Sequence, residues 1–115
     1  MLAEGGQAMN YYLEISVAVR TKLTSAEFDS AFDAIAEALY DCDGVEDPDL
    51  AGDYASSVFT FTMNTLDAAG PEEALAQALA VVRTALHVSG GATPHWEDQF
   101  EFMRQTIQAQ NFATA

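Results

Sequence analysis

Residues 11–40 read YYLEISVAVRTKLTSAEFDSAFDAIAEALY, and within them the spacing of apolar side chains changes from that of a strand to that of a helix. Tyr11, Leu13, Ile15, Val17 and Val19 alternate with Tyr12, Glu14, Ser16, Ala18 and Arg20, the pattern of a strand with one face buried. Thr24 followed by Glu27 is a capping-box pair, in which hydroxyl and carboxylate each accept from a backbone amide of the first helical turn. Phe28, Phe32, Ile35 and Leu39 then recur at steps of four, three and four, which predicts a helix over Ser25–Tyr40.

The plan repeats downstream. Beyond a turn-rich acidic stretch, Asp41 to Asp53, the residues Phe59, Phe61 and Met63 alternate with Val58, Thr60, Thr62 and Asn64 as a second central strand. Gly70 and Pro71 ahead of Glu72 and Glu73 mark a helix start, since proline is tolerated where the amide has no partner to lose. Leu75, Leu79, Val82 and Leu86 repeat the four, three, four spacing, with Arg83 and His87 toward the end of the helix, where positive charge suits the macrodipole. A short strand fits around Val45–Tyr54, and Pro48 confines it to a sheet edge.

The last segment reads two ways. Trp96, Phe100, Met103 and Ile107 have helical spacing behind Thr93 and Pro94, whereas Phe100 and Phe102 alternate. A fourth strand is needed to pair with the first, so a strand within Gln99–Gln108 is expected. The resulting order resembles the ferredoxin-like α+β architecture: a βαββαβ two-layer sandwich with both helices on one face of an antiparallel sheet. Residues 10–110 are expected to form one domain, between a flexible N-terminal tail over 1–9 and a C-terminal tail over 111–115.

Composition bounds the function. A chain of 115 residues suits one core, and no apolar run approaches the roughly 20 residues of a membrane helix. The first nine residues lack the basic start and apolar stretch of a secretory signal, so a cytoplasmic location is expected. Abundant alanine, with one lysine against three arginines, suggests a GC-rich bacterial or phage genome. Cys42 is a lone cysteine, without disulfide partner or metal-binding spacing, and reads as a small hydrophobe. The net charge of −14 repels phosphate backbones, which argues against direct nucleic-acid binding. Neither a membrane contact nor a cofactor is expected.

Acidity is concentrated, with ten of the eighteen acids falling between Glu27 and Asp53. Asp29, Asp33, Glu37 and Asp41 follow at i, i+4 as a ridge, each like-charge step costing an isolated helix about 0.2–0.5 kcal/mol. Asp43, Glu46, Asp47, Asp49 and Asp53 continue the acidic run. This clustering is readable as solubility or salt adaptation, or as a recognition surface for a basic protein partner. Asp41, Asp43 and Gly44 resemble the start of an EF-hand loop, but Val45 stands at the third ligand position and the glycine comes two places early, so no metal motif is assigned. A surface cation site near Asp47 and Asp49 is the remaining metal reading.

The loop from Gly90 to Trp96 is the second unusual feature. Gly90 and Gly91 read as a helix stop and Trp96 as a plug for the end of the core. Alternatively His95, Trp96 and Thr93 line a small pocket with His87. The strand face away from the helices, with Tyr12, Glu14, Ser16 and Ala18 beside Val58, Thr60, Thr62 and Asn64, would be bare unless a second copy covers it, so a homodimer is expected.

Several families share this architecture, each with its own residue requirements. RNA-recognition domains require aromatics on the open face, where only Tyr12 qualifies, and basic loops; copper chaperones require a CxxC and acyl-phosphate hydrolases a phosphate-cradling glycine loop, neither of which occurs here. Small-molecule regulatory domains of the ACT kind require no fixed motif. The leading expectation is a non-enzymatic interaction module that presents its acidic surface to a basic partner. The alternative is a small-molecule or cation-binding regulatory domain of the same fold, and a third reading is an enzyme using His87 or His95.

Overall fold

The computed structural model describes residues 9–91 and 93–110; most of the expected tails, 1–8 and 111–115, lie outside the described residues, and Met9 already opens the first strand. Among the described residues six principal elements follow one another: β1 (Met9–Val19), α1 (Ser25–Tyr40), β2 (Glu46–Asp53), β3 (Val58–Ala68), α2 (Pro71–Ser89) and β4 (Phe100–Gln110), with a 3-10 turn (Glu97–Gln99) ahead of β4. All strand pairings are antiparallel, in the order β2-β3-β1-β4. This is the ferredoxin-like sandwich that the sequence predicts, with β2 and β4 at the edges.

Helix α1 begins where its capping box places it. Thr24 Oγ1 accepts from the Glu27 amide at 3.1 Å, and Glu27 Oε1 accepts from the Thr24 amide at 2.8 Å. Replacing Thr24 with alanine removes the first of these bonds, and a loss of about 0.5–2 kcal/mol is expected, read as a lower urea midpoint at unchanged slope.

The core fills the space between sheet and helices. Leu13, Ile15, Val17, Phe59, Phe61 and Met63 from the central strands are fully buried against Ile35, Leu39 and Val82. On α2 the centre of the buried face differs from the expected one. Ala74, Ala78, Val81 and Ala85 are buried with Val82 and Leu86, whereas Leu75 and Leu79 are half-buried at its flank. Small side chains bring the α2 backbone close to its neighbours, and the two leucines cover the margin.

The edge strand β2 tolerates its poor strand composition through local devices. A register shift between Glu46 and Asp49 accommodates Pro48, and Asp47 takes a positive φ of 51° there. Gly52 lies under the rings of Phe28 and Phe32, where an added Cβ would stand 3.0 Å from each.

Residues paired across antiparallel strands project to the same side, so the register defines the sheet face turned away from the helices. Glu46, Asp49, Ala51 and Asp53 of β2 stand on it opposite Asn64, Thr62, Thr60 and Val58 of β3. Tyr12, Glu14, Ser16 and Ala18 of β1 follow, and then Gln108, Thr106, Arg104 and Glu101 of β4.

Candidate functional site

The chain between α2 and β4 forms one wall of a surface groove. Gly90 caps α2, and the indole of Trp96 folds back over it; a Cβ at this glycine would overlap Trp96 Cγ and Cδ1 and stand 2.7 Å from Trp96 Cβ. The indole is fixed on two further sides, with Nε1 donating to Ser89 Oγ at 3.2 Å and the ring edge-on to Phe100 at 5.2 Å. Trp96 thus closes the end of the core, as its position after the glycines predicts.

Its other side faces a groove of about 510 Å³ between this loop and the first half of α1. Leu23, Ala26, Ala31 and Ala34 supply apolar wall opposite Trp96, while Glu27, Ser30, Ser89, Thr93 and Gln99 supply polar atoms. Apolar walls with a few polar groups, at this volume, are the usual make-up of a small-molecule site. Behind Trp96 the aromatic packing continues through Phe100 to Phe59, 6.5 Å away, and on to Phe28 at 4.5 Å.

The residues expected at this loop divide. Gly90 seats the indole, and Thr93 and Trp96 line the groove. Gly91 takes a positive φ of 56°, which lets the chain turn away from α2. The two histidines are not among the lining residues. His95 points outward, its side chain 85% exposed and its Nδ1 3.4 Å from Asp98, while His87 is exposed in the last turn of α2. Neither imidazole therefore forms part of this groove. Ala26, Ser30 and Ala34 went unnoticed in the sequence, although their i, i+4 spacing marks a small-residue side of α1 distinct from both its aromatic stripe and its acidic ridge.

A second groove, of about 410 Å³, lies between the end of α1 and α2 and contains Cys42. The thiol donates to the Ala38 carbonyl at 3.3 Å. Burial raises its pKa, and Asp41 and Asp43 add to the shift, so the neutral thiol is favoured and Cys42 is a poor nucleophile at neutral pH.

The acids do not form one surface. Asp29, Asp33 and Glu37 are exposed on α1, with Asp41 at its C-cap and Asp43 exposed just beyond. Glu46, Asp49 and Asp53 project from the opposite side of the sheet to the one that carries α1, and Asp47 lies in the register shift between them. Two of the acids serve local structure: Asp49 accepts from the Tyr40 hydroxyl at 3.2 Å, and Asp53 accepts from the Ala55 amide at 3.1 Å. Among the described residues no group of three or more His, Cys, Asp or Glu is placed to hold a metal ion. Nor, among them, is any helix long and apolar enough to cross a membrane.

No protein-family description and no curated protein matches the chain. Solved structures do match it. A candidate antibiotic biosynthesis monooxygenase from Chloroflexus aurantiacus J-10-fl superposes with a TM-score of 0.53 at 15% identity, over 92% of this chain and 97% of that one. The structural-genomics protein YJCS gives a TM-score of 0.51 at 10% identity, over 89% and 99% of the two chains. At these identities the likeness is one of fold, a ferredoxin-like fold of the antibiotic biosynthesis monooxygenase type.

These neighbours overturn the leading expectation of an acidic interaction module. The physical reason is on the surface itself: the acids are split between two sides of the molecule rather than gathered into one. The neighbours sit better with the alternative, a small-molecule or cation-binding regulatory domain of the same fold, than with that module.

Proposed function

We infer that the protein binds a small, largely apolar organic molecule in the groove between α1 and the Gly90–Trp96 loop. The observation that carries this reading is the combination of the Trp96 wall with apolar side chains of α1 opposite it and hydroxyl and amide groups around them. The indole offers a flat face for stacking, and Ser30, Thr93 and Gln99 offer hydrogen bonds to one or two hydroxyl or carbonyl groups. Glu27 in the lining and a net charge of −14 disfavour anions, so the ligand class is neutral or cationic. A thermal-shift panel of small aromatic and alicyclic alcohols, ketones and amines tests this. Stabilisation by neutral or cationic members and none by matched carboxylates is expected; a flat response throughout would exclude the role.

An oxygenase acting on the bound molecule is a second reading, supported by the assignment of the Chloroflexus aurantiacus neighbour as a candidate monooxygenase. Oxygen uptake on adding a compound that stabilises the protein would support turnover. Stabilisation without uptake would favour a binding role.

A further inference from the structure

We propose that the groove between the end of α1 and the exposed side of α2 is a second ligand site, which takes an alkylammonium ion with its charge beside Asp41 and Asp43 and its chain along α2. Among the described residues it shares no lining side chain with the groove beside Trp96, so this inference stands or falls separately from the binding role above.

The floor and one wall are apolar. Ala38 and Val81 are buried where the two helices meet, and they close the groove from below. Ala80, Thr84 and Val88 follow at i, i+4 along α2, a row about 12 Å long at about 1.5 Å per residue. Val88 is 56% exposed, a large apolar side chain that the fold leaves in water. The volume of about 410 Å³ lies in the usual range of small-molecule sites, and such a row draws in the apolar part of a ligand.

The opposite wall carries charge of one sign. Asp41, at the C-cap of α1, and Asp43 just beyond it are both exposed, and both line the groove. The last turn of α1 holds no basic side chain, so the negative end of the helix dipole adds to the same field. Among the described residues no lysine or arginine stands within ion-pair distance of either carboxylate. The field reaches into the groove: burial raises the pKa of the Cys42 thiol in its lining, and the charges of Asp41 and Asp43 raise it further.

The two walls together select the ligand. Cys42 Sγ lies 3.9 Å from the Val81 carbonyl, which sets the acids at that level of α2, with Val88 about two turns farther on. Charge and exposed apolar surface thus stand at different levels of one trough, and a cation that carries a chain of several carbons matches both. An anion is repelled, and a neutral chain gains only from the apolar row. A bare metal ion is poorly served, because no group of three or more His, Cys, Asp or Glu is placed to hold one among the described residues.

Titration of the isotope-labelled full chain with octylammonium chloride, octanol and octanoate, followed by two-dimensional amide NMR, is the test, since it locates each compound by residue. Octylammonium, kept below its micelle concentration, is expected to shift the Cys42, Val81, Thr84 and Val88 amides saturably. Octanol should bind there about three- to tenfold more weakly, the contribution of two exposed ion pairs, and octanoate should not bind. Asp41→Asn together with Asp43→Asn should lower octylammonium to the affinity of octanol, while Val88→Gln should weaken both compounds. All three positions are exposed, so circular dichroism should report an intact fold in each variant. Octanol as tight as octylammonium at these amides, or octylammonium binding untouched by the double substitution, would overturn the proposal. So would shifts confined to the lining of the Trp96 groove, an outcome that leaves the binding role above in place.

Discussion

Truncation of Phe59 to alanine is expected to destabilise the fold by about 3–5 kcal/mol, a large share of the roughly 5–15 kcal/mol that holds a domain together. Phe59 is fully buried on β3 and stacks on Phe28 with ring centroids 4.5 Å apart and planes 10° from parallel. Phe32 and Phe100 flank it at 6.4 and 6.5 Å. Removing the ring takes a contact from the sheet, from α1 and from β4 at once, and the surrounding rings are too rigid to close the space. Urea unfolding should show a lower midpoint at unchanged slope. Phe102→Ala makes the comparison, since Phe102 is half-buried with Arg83 over its ring, and its loss should be clearly the smaller. Equal losses at the two positions would mean that the aromatic cluster is not the centre of the core.

Gly90→Ala is expected to cost about 1–3 kcal/mol and to dismantle the proposed site in the same step. The φ of Gly90 is −78°, which any residue adopts, so the backbone raises no objection. At such a position alanine would ordinarily stabilise by about 0.4–1 kcal/mol through the unfolded chain. Here the added methyl falls within the space of the Trp96 side chain, so the indole must leave. With it go the hydrogen bond to Ser89 and the edge contact with Phe100. Trp96 is the single tryptophan, so its emission reports the change directly. A red shift together with a lower melting temperature is expected. An unshifted emission with equal or higher stability would show that the indole does not rest on Gly90.

The parts of the fold that could be read from sequence are those whose signals are local. The capping box at Thr24 and Glu27 and the aromatic stripe behind it locate α1 from end to end, and unbroken alternation locates the two central strands. Segment β4 was ambiguous for a physical reason. Its register shifts against β1 between Ser16 and Val17, where Met103 is the extra residue, so the inward side chains run Phe100, Phe102, Gln105 and Ile107. That break in alternation is what made Phe100, Met103 and Ile107 resemble a helix. A second shift, at Asp47 and Pro48, puts Glu46 and Asp49 on one face although three positions separate them, so the division of the acids could not be read from parity.

The site was legible in part. Gly90, Thr93 and Trp96 stand out because glycines beside a lone tryptophan are unusual; Thr93 and Trp96 line the groove, and Gly90 seats the indole. The histidines attracted attention for their chemistry, but side-chain direction is a property of the folded loop, and a positive φ of 59° accompanies the outward turn of His95. The alanines and Ser30 of α1 carry no chemical flag, and their role depends on which elements face them. Charge is the loudest signal in the sequence, and it points toward α1 and β2 rather than toward the groove.

Titrating Trp96 emission in the wild type and in Ala34→Phe tests most directly whether the groove beside Trp96 is a ligand site. Ala34 is half-buried in the wall opposite the indole, where a larger side chain fills the groove and leaves the core untouched. With the compound that most stabilises the wild type, a saturable change in Trp96 emission is expected there, with its loss in Ala34→Phe at an unchanged melting temperature of the free protein. The same saturable change in both proteins would contradict the account.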